Sequence, residues 1–230
     1  MSESNTGQIG VWGRRGSGKS SYLQQRIAKA KRVVIFDTMG EYGQIRGIKA
    51  VSRIDQVRQE MRKNWTGFRV ALKPIGGREP AILSELSYFL IQAQAPSVKA
   101  GRNIRPITLV VEEMNLAFPV SGGEAKCPGF AELCSRGRHS YVEMIGASQR
   151  IAEVATRFRG NCTETVVFAQ KGPRDLAASE AELGLGLRKL GADVADLAPY
   201  ETKTQIVLPY LHENKGTVSK GDIRHRLKKT

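Results

Sequence analysis

Apolar residues along this chain alternate between short unbroken runs of β-branched character and longer stretches that recur every three to four positions. Gln8 to Trp12 is a short apolar run leading into glycines, and Lys19 to Arg32 then carries Leu23, Ile27 and Ala30 at helical spacing. Val33 to Phe36 predicts a second strand ending at Asp37, and Ile54, Val57 and Met61 predict a second helix. Phe68 to Leu72 alternates as a strand does. Glu79 to Ala95 predicts a helix bounded by Pro80 near its start and Pro96 beyond its end, and Ile107 to Val111 predicts a buried strand. Further on come a helix from Phe130 to Arg136, a strand from Val142 to Ala147, a helix with Ile151, Val154, Ala155 and Phe158 on one face, and a strand from Thr165 to Ala169. Such alternation predicts an α/β fold, a central mostly parallel sheet flanked by helices.

Beyond Pro173 the rhythm loosens. Glycines 184, 186 and 191 interrupt a helical stretch, Thr204 to Leu208 predicts a last strand, and from Lys215 the chain is polar and basic. The expected organisation is one domain over residues 1–212 followed by a basic C-terminal tail over 213–230, with mobility expected at its last residues. The 230 residues carry 36 Lys and Arg against 22 Asp and Glu, a net charge of +14 that points to a polyanionic partner, nucleic acid or an acidic surface. No apolar run reaches the roughly 18 to 20 residues that span a bilayer, and the opening residues lack a signal-peptide pattern. Cys127, Cys134 and Cys162 form no C-x-x-C pair and fit a reduced, intracellular compartment. Cys127, Cys134 and His139 are close in sequence but lack the paired spacing of a zinc site, so small buried thiols are expected.

Gly13-Arg14-Arg15-Gly16-Ser17-Gly18-Lys19-Ser20, followed by Ser21, fits the Walker A pattern between a predicted strand and a predicted helix. In such a loop glycines let consecutive N–H groups turn toward phosphate, Lys19 reaches the β and γ oxygens, and Ser20 offers a hydroxyl to Mg²⁺. ATP and Mg²⁺ are the expected ligands of a P-loop NTPase of RecA/ASCE type. Ile107 to Val111 followed by Glu112-Glu113 has Walker B form, with Glu112 expected at the metal and Glu113 as the base that activates water. Glu112 stands where Asp is usual. Gln149, after the next strand, is the expected sensor that orients the lytic water. Arg136, Arg138, Arg150, Arg157 and Arg159 cluster around that strand, with Arg138 first and Arg136 second as an arginine finger supplied to a neighbouring subunit.

Asp37-Thr38-Met39-Gly40-Glu41-Tyr42, Ser135-Arg136-Gly137-Arg138-His139 and Ala147-Ser148-Gln149-Arg150 together resemble motifs of the FtsK/HerA superfamily of P-loop DNA translocases. The near-minimal length makes the chain most similar to the genome-packaging ATPases of tailless bacteriophages with an internal membrane. The resemblance implies a hexameric ring with ATP between subunits and DNA threaded through a basic channel into a preformed capsid. It also implies capsid-vertex or membrane-associated packaging partners, and a location in the host cytoplasm or at the virion packaging vertex. Lys73, Arg78, Lys99, Arg102 and Arg105, in Gly- or Pro-containing connections, are the candidate DNA contacts. Three other readings stay open: a cellular HerA-like translocase or filamentous-phage export ATPase, a small-molecule kinase, and a nucleotide-gated DNA-binding switch.

Overall fold

A computed structural model describes residues 6–101, 104–184 and 197–227. Its seven parallel strands are β1 (Gln8–Trp12), β2 (Arg32–Phe36), β3 (Lys49–Val51), β4 (Phe68–Leu72), β5 (Ile107–Val111), β6 (Val142–Ser148) and β7 (Glu164–Val167). Three more strands, β8 (Tyr200–Glu201), β9 (Gln205–Asn214) and β10 (Thr217–Arg226), extend the sheet antiparallel, giving the order β10-β9-β7-β1-β6-β5-β2-β4-β3, with β8 also on β9. β1, β2 and β5 are buried at every position, the expected consequence of helices covering both faces of a parallel sheet.

One face packs against α1 (Lys19–Lys29), which inserts Leu23 and Ile27 among Ile9, Val11, Val33 and Ile35. The other is covered by α2 (Ile54–Lys63), α3 (Glu79–Ala100), α4 (Met114–Ala117), α5 (Gly123–Lys126), α6 (Pro128–Arg136), α7 (Thr156–Arg159) and α8 (Pro173–Glu182), around a core that includes Phe118, Phe130 and Phe158. Phe118 meets Phe130 edge-on at 5.1 Å and Phe130 stacks on Phe158 at 5.8 Å. Cys127 and Cys134 are buried in this layer, and burial pushes the Cys127 thiol up to about 12.

Three expectations are corrected. Pro96 does not end α3, which continues to Ala100 and closes at Gly101, whose N–H bonds the carbonyls of Ser97 and Val98. Pro96 lies on the exposed side, and Gln94 just before it anchors the helix by donating to the carbonyls of Arg105 and Tyr141. The apolar face of Ile151, Val154, Ala155 and Phe158 is buried, yet only α7 within it is α-helical, preceded by a 3₁₀ turn at Ile151–Glu153. There the backbone pairs across to residues 118–120, Val120 N–H to the Glu153 carbonyl at 2.8 Å and Ala155 N–H to that of Phe118 at 3.0 Å, and this pairing displaces the helix.

The largest correction concerns the C-terminus. The predicted strand at 204–208 runs on to Asn214, and the polar segment expected as a tail contains β10, paired with β9 from Thr217↔Asn214 to Arg226↔Gln205. Lys215 and Gly216 both have positive φ, 52° and 78°, which is the two-residue turn that matches strand twist in a hairpin. Lys228 and Lys229, the tail's last cations, lie outside the described residues, as do Gly186 and Gly191.

Candidate active site

The C-terminal ends of the parallel strands form one edge of the sheet, and β1 delivers the loop 13–18 there. Gly13 N–H bonds the Ser148 carbonyl at 3.3 Å and Arg14 N–H that of Ala169 at 2.8 Å, so the loop is tied to both neighbouring strands. Gly18 has φ of 118°, and a Cβ there would stand 3.0 Å from both Leu208 and Phe168. Only glycine fits that turn and that contact.

Lys19 is 8% exposed, and its Nζ donates to the carbonyls of Gly13 at 2.7 Å and Arg14 at 3.2 Å. Burial lowers its pKa, against the opposing pull of Glu113 and Glu112. The Ser17 hydroxyl is buried in the loop without a partner. A buried ammonium held only by carbonyls, an orphaned hydroxyl and a positive helix end fit a bound polyphosphate. Ser20 is exposed and Ser21 half-buried at the start of α1, while Arg14 and Arg15 point to solvent.

β5 ends two strands away from β1, with β6 between them, and this order sets the acids. Glu112 is buried with its N–H on the Phe36 carbonyl. Burial is the main cause that raises its carboxyl pKa, and the Tyr42 hydroxyl donates to its Oε1 at 2.5 Å. Glu113 follows in the left-handed region, φ 48° and ψ 57°, rare for a residue with a side chain. Its Oε1 accepts from Gln149 Nε2 at 2.7 Å. Base candidate and sensor candidate therefore meet because β6 lies between β1 and β5. Ser148, beside Gln149, donates to Asn115 Oδ1 at 2.9 Å.

The Asp37-x-x-Gly40-Glu41-Tyr42 element has a legible local job. Asp37 Oδ1 accepts the N–H groups of Gly40 at 2.8 Å and Glu41 at 3.1 Å, and its Oδ2 accepts that of Tyr42 at 2.9 Å. That turn carries the Tyr42 ring from the end of β2 to Glu112. Sequence reasoning quoted this motif without assigning Tyr42 a partner, since the contact spans 70 positions.

Also unforeseen is the hairpin's part. Leu208, Ile206 and His225 line a cleft of about 330 Å³ with Gly18, Lys19 and Ser21, and His225 Nε2 lies 3.0 Å from Ser21 Oγ. The strand predicted at Thr204 to Leu208 and the Asn214-Lys215-Gly216 turn were its sequence signals, and neither showed that it lies against the phosphate loop.

The arginines divide. Arg150 pairs with Asp175 and Glu153, Arg157 with Glu124, and Arg159 with Glu182. Arg136 and Arg138 are exposed before β6 begins, whereas Gln149 follows its end. The strand's rise of ~3.3 Å per residue puts them ~20 Å from the phosphate loop. The structure does not bring either to the site of its own chain. Lys73 and Arg78 follow β4 at the phosphate-loop edge, whereas Lys99 and Arg105 lie at the opposite edge, so the candidate DNA contacts are not one surface. Arg102 lies outside the described residues.

No family model matches the chain, and no curated protein matches it in sequence. Solved structures do match. The genome packaging NTPase B204 from Sulfolobus turreted icosahedral virus 2, in complex with AMP, superposes with a TM-score of 0.63 at 15% identity over 93% of this chain and 96% of that one. The pCW3 conjugation coupling protein TcpA with ATPγS gives 0.61 at 16% identity over 96% of this chain and 60% of its own. The cytoplasmic domain of the Thermomonospora curvata type VII secretion ATPase EccC gives 0.58 at 14% identity over 96% and 25%. The chain thus shares the α/β fold of these nucleotide-binding ATPases, and its likeness to the viral packaging NTPase extends over most of both chains.

Proposed function

We propose that this chain is an ATP-hydrolysing DNA translocase that packages a viral genome into a preformed capsid, working as a ring with nucleotide between subunits. The observation that carries the reading is the Glu113–Gln149 hydrogen bond beside Lys19. A carboxylate and an amide converging there suit activation of water, whereas a metabolite kinase needs a substrate pocket in their place. The loop N–H groups and Lys19 hold the phosphates, Ser20 and Glu112 hold Mg²⁺, and Glu113 takes the proton of the attacking water that Gln149 orients.

Support for the ring comes from Met39, Ile75, Leu116 and Val120, large apolar side chains that are exposed in the connections after β2, β4 and β5, around the site. A neighbouring subunit would cover them. Arg138 or Arg136, far from the site of its own chain, acts only on a neighbour's nucleotide. The net charge of +14 supports DNA as the polyanion, and the likeness in fold to the packaging NTPase B204 supports packaging. Capsid-vertex or membrane-associated proteins are the proposed docking partners.

Steady-state ATP hydrolysis with and without double-stranded DNA tests this reading. Turnover is expected to rise with DNA at low salt, and the rise to shrink steeply at moderate salt as counterions compete for phosphate. ATP binding with DNA-indifferent turnover would reject the motor in favour of the switch module.

Tyr42→Phe isolates the metal side of the site. Loss of the hydroxyl leaves Glu112 buried without its donor, and such outer contacts change metal affinity or activity by about 10–100-fold. Half-maximal turnover is expected to require about tenfold more Mg²⁺, with circular dichroism unchanged. An unaltered Mg²⁺ titration would remove Tyr42 from the mechanism.

A further inference from the structure

The edge of the sheet opposite the phosphate loop carries a second concentration of charge. α1 ends at Lys29 and β2 starts at Arg32, so Arg26, Lys29, Lys31 and Arg32 arrive together, and the connection into β5 adds Arg105. All five line one cavity of about 490 Å³. Thr108 of β5 and Glu143 and Ile145 of β6 complete its lining.

The charges there are out of balance. Arg26 approaches Glu164 at 3.5 Å. Glu143 accepts from Thr108 Oγ1 at 2.8 Å, and burial raises its pKa toward the neutral form. Among the described residues, Lys29, Lys31, Arg32 and Arg105 have no carboxylate in ion-pairing distance.

Arg32 is the unusual member, a buried arginine 3% exposed with no acid beside it. Its guanidinium donates to the Arg105 carbonyl at 2.5 Å and to Gln94 Oε1 at 3.1 Å, and it lies 4.1 Å over the Trp65 ring. Its Nε is buried with no acceptor. Those bonds, with Gln94 Nε2 on the same Arg105 carbonyl at 2.9 Å, hold the backbone from which the Arg105 side chain reaches the surface. Lys29 and Lys31 are exposed at the same rim.

We propose that this cavity is a phosphate-binding groove for the DNA backbone, with Lys29, Lys31 and Arg105 contacting successive phosphodiesters and Arg32 supplying positive field from beneath. The inference rests on the reading of the chain as a DNA motor and says where the backbone is held. Among the described residues, no aromatic ring lines the cavity to seat a base or a peptide side chain. Recognition there is by charge and independent of sequence, as a packaging motor requires.

The test is fluorescence anisotropy of a labelled mixed-sequence DNA duplex, titrated with the full chain and a non-hydrolysable ATP analogue over a range of salt. A triple variant, Lys29→Gln with Lys31→Gln and Arg105→Gln, is compared with a second triple, Lys126→Gln with Lys203→Gln and Lys215→Gln, which removes the same charge from exposed sites elsewhere. Thermal melting establishes that each variant is folded. Three lost phosphate contacts are expected to lower the slope of log affinity against log salt by about 2–3, and affinity at low salt by at least ~30-fold. The scattered variant is expected to stay within about threefold of wild type. Equal losses in both triples, or a wild-type slope in the groove triple, would overturn the groove and leave the DNA reading standing. Failure of the wild-type chain to bind DNA at any salt would reject both. Saturable binding of poly-glutamate, lost only in the groove triple and without DNA binding, would assign the groove to an acidic protein instead.

Discussion

Glu113→Gln is expected to lower ATP turnover by about 10²–10⁴-fold while nucleotide affinity stays the same or tightens, the range that removal of a general base produces. The substitution keeps the shape of the side chain, and its amide oxygen can still accept from Gln149 Nε2, so the geometry survives and the basicity does not. Affinity should not fall, because a negative charge is removed from beside the γ-phosphate. The left-handed backbone at Glu113 is equally open or closed to Gln, which cancels strain from the comparison. Single-turnover hydrolysis measured beside fluorescent-nucleotide binding checks both halves. Turnover within threefold of wild type would end the assignment of Glu113 as base and move it to another group.

Lys19→Met is expected to abolish nucleotide-induced stabilisation without destabilising the nucleotide-free protein. In wild type, ATP at about 100 times its Kd adds ~2.7 kcal/mol, which in a domain of this size raises Tm by ~5–10 °C. Met keeps the volume but removes the charge that faces the phosphates, so the shift should fall to ~1 °C or less. Burial lowers the Lys19 pKa, which means the charged form is disfavoured in the fold relative to the unfolded chain. That cost is fully present at pH below the folded pKa and is relieved as pH rises through it. Met removes it, while the two carbonyls that Lys19 caps lose their donor, and these opposing terms leave the nucleotide-free Tm close to that of wild type. Differential scanning fluorimetry with and without ATP reads both quantities, and a wild-type ATP shift in the variant would exclude Lys19 from phosphate binding.

The two experiments separate steps of one cycle. Lys19→Met tests whether phosphate is held by the loop, and Glu113→Gln tests whether held nucleotide is cut by the residue on β5. Loss of the first alone would leave Glu113 and Gln149 as a paired structural contact, and loss of the second alone would leave a switch.

The amino-acid sequence by itself determined the α/β class, six of the seven parallel strands and the phosphate loop, because each rests on local signals; β3, three residues long and mostly exposed at the sheet edge, carries no such signal. Continuous β-branched runs specify buried parallel strands, helical periodicity specifies the covering layer, and Gly16-Ser17-Gly18-Lys19 specifies a turn only that spacing can make. Glu112, Glu113 and Gln149 were legible as chemistry placed at strand ends. Which of them touch was not, since β6 separates β1 from β5 only through strand order, and strand order is decided by packing of distant segments. The same holds for Tyr42 on Glu112, for Arg136 and Arg138 at the far edge, and for the unpaired cations around Arg32. The β9–β10 hairpin escaped because its outer strand is mostly exposed and polar, so no apolar alternation marks it. Its pairing is specified by the edge β7 offers and by a turn of two residues, a long-range condition that only the folded chain supplies.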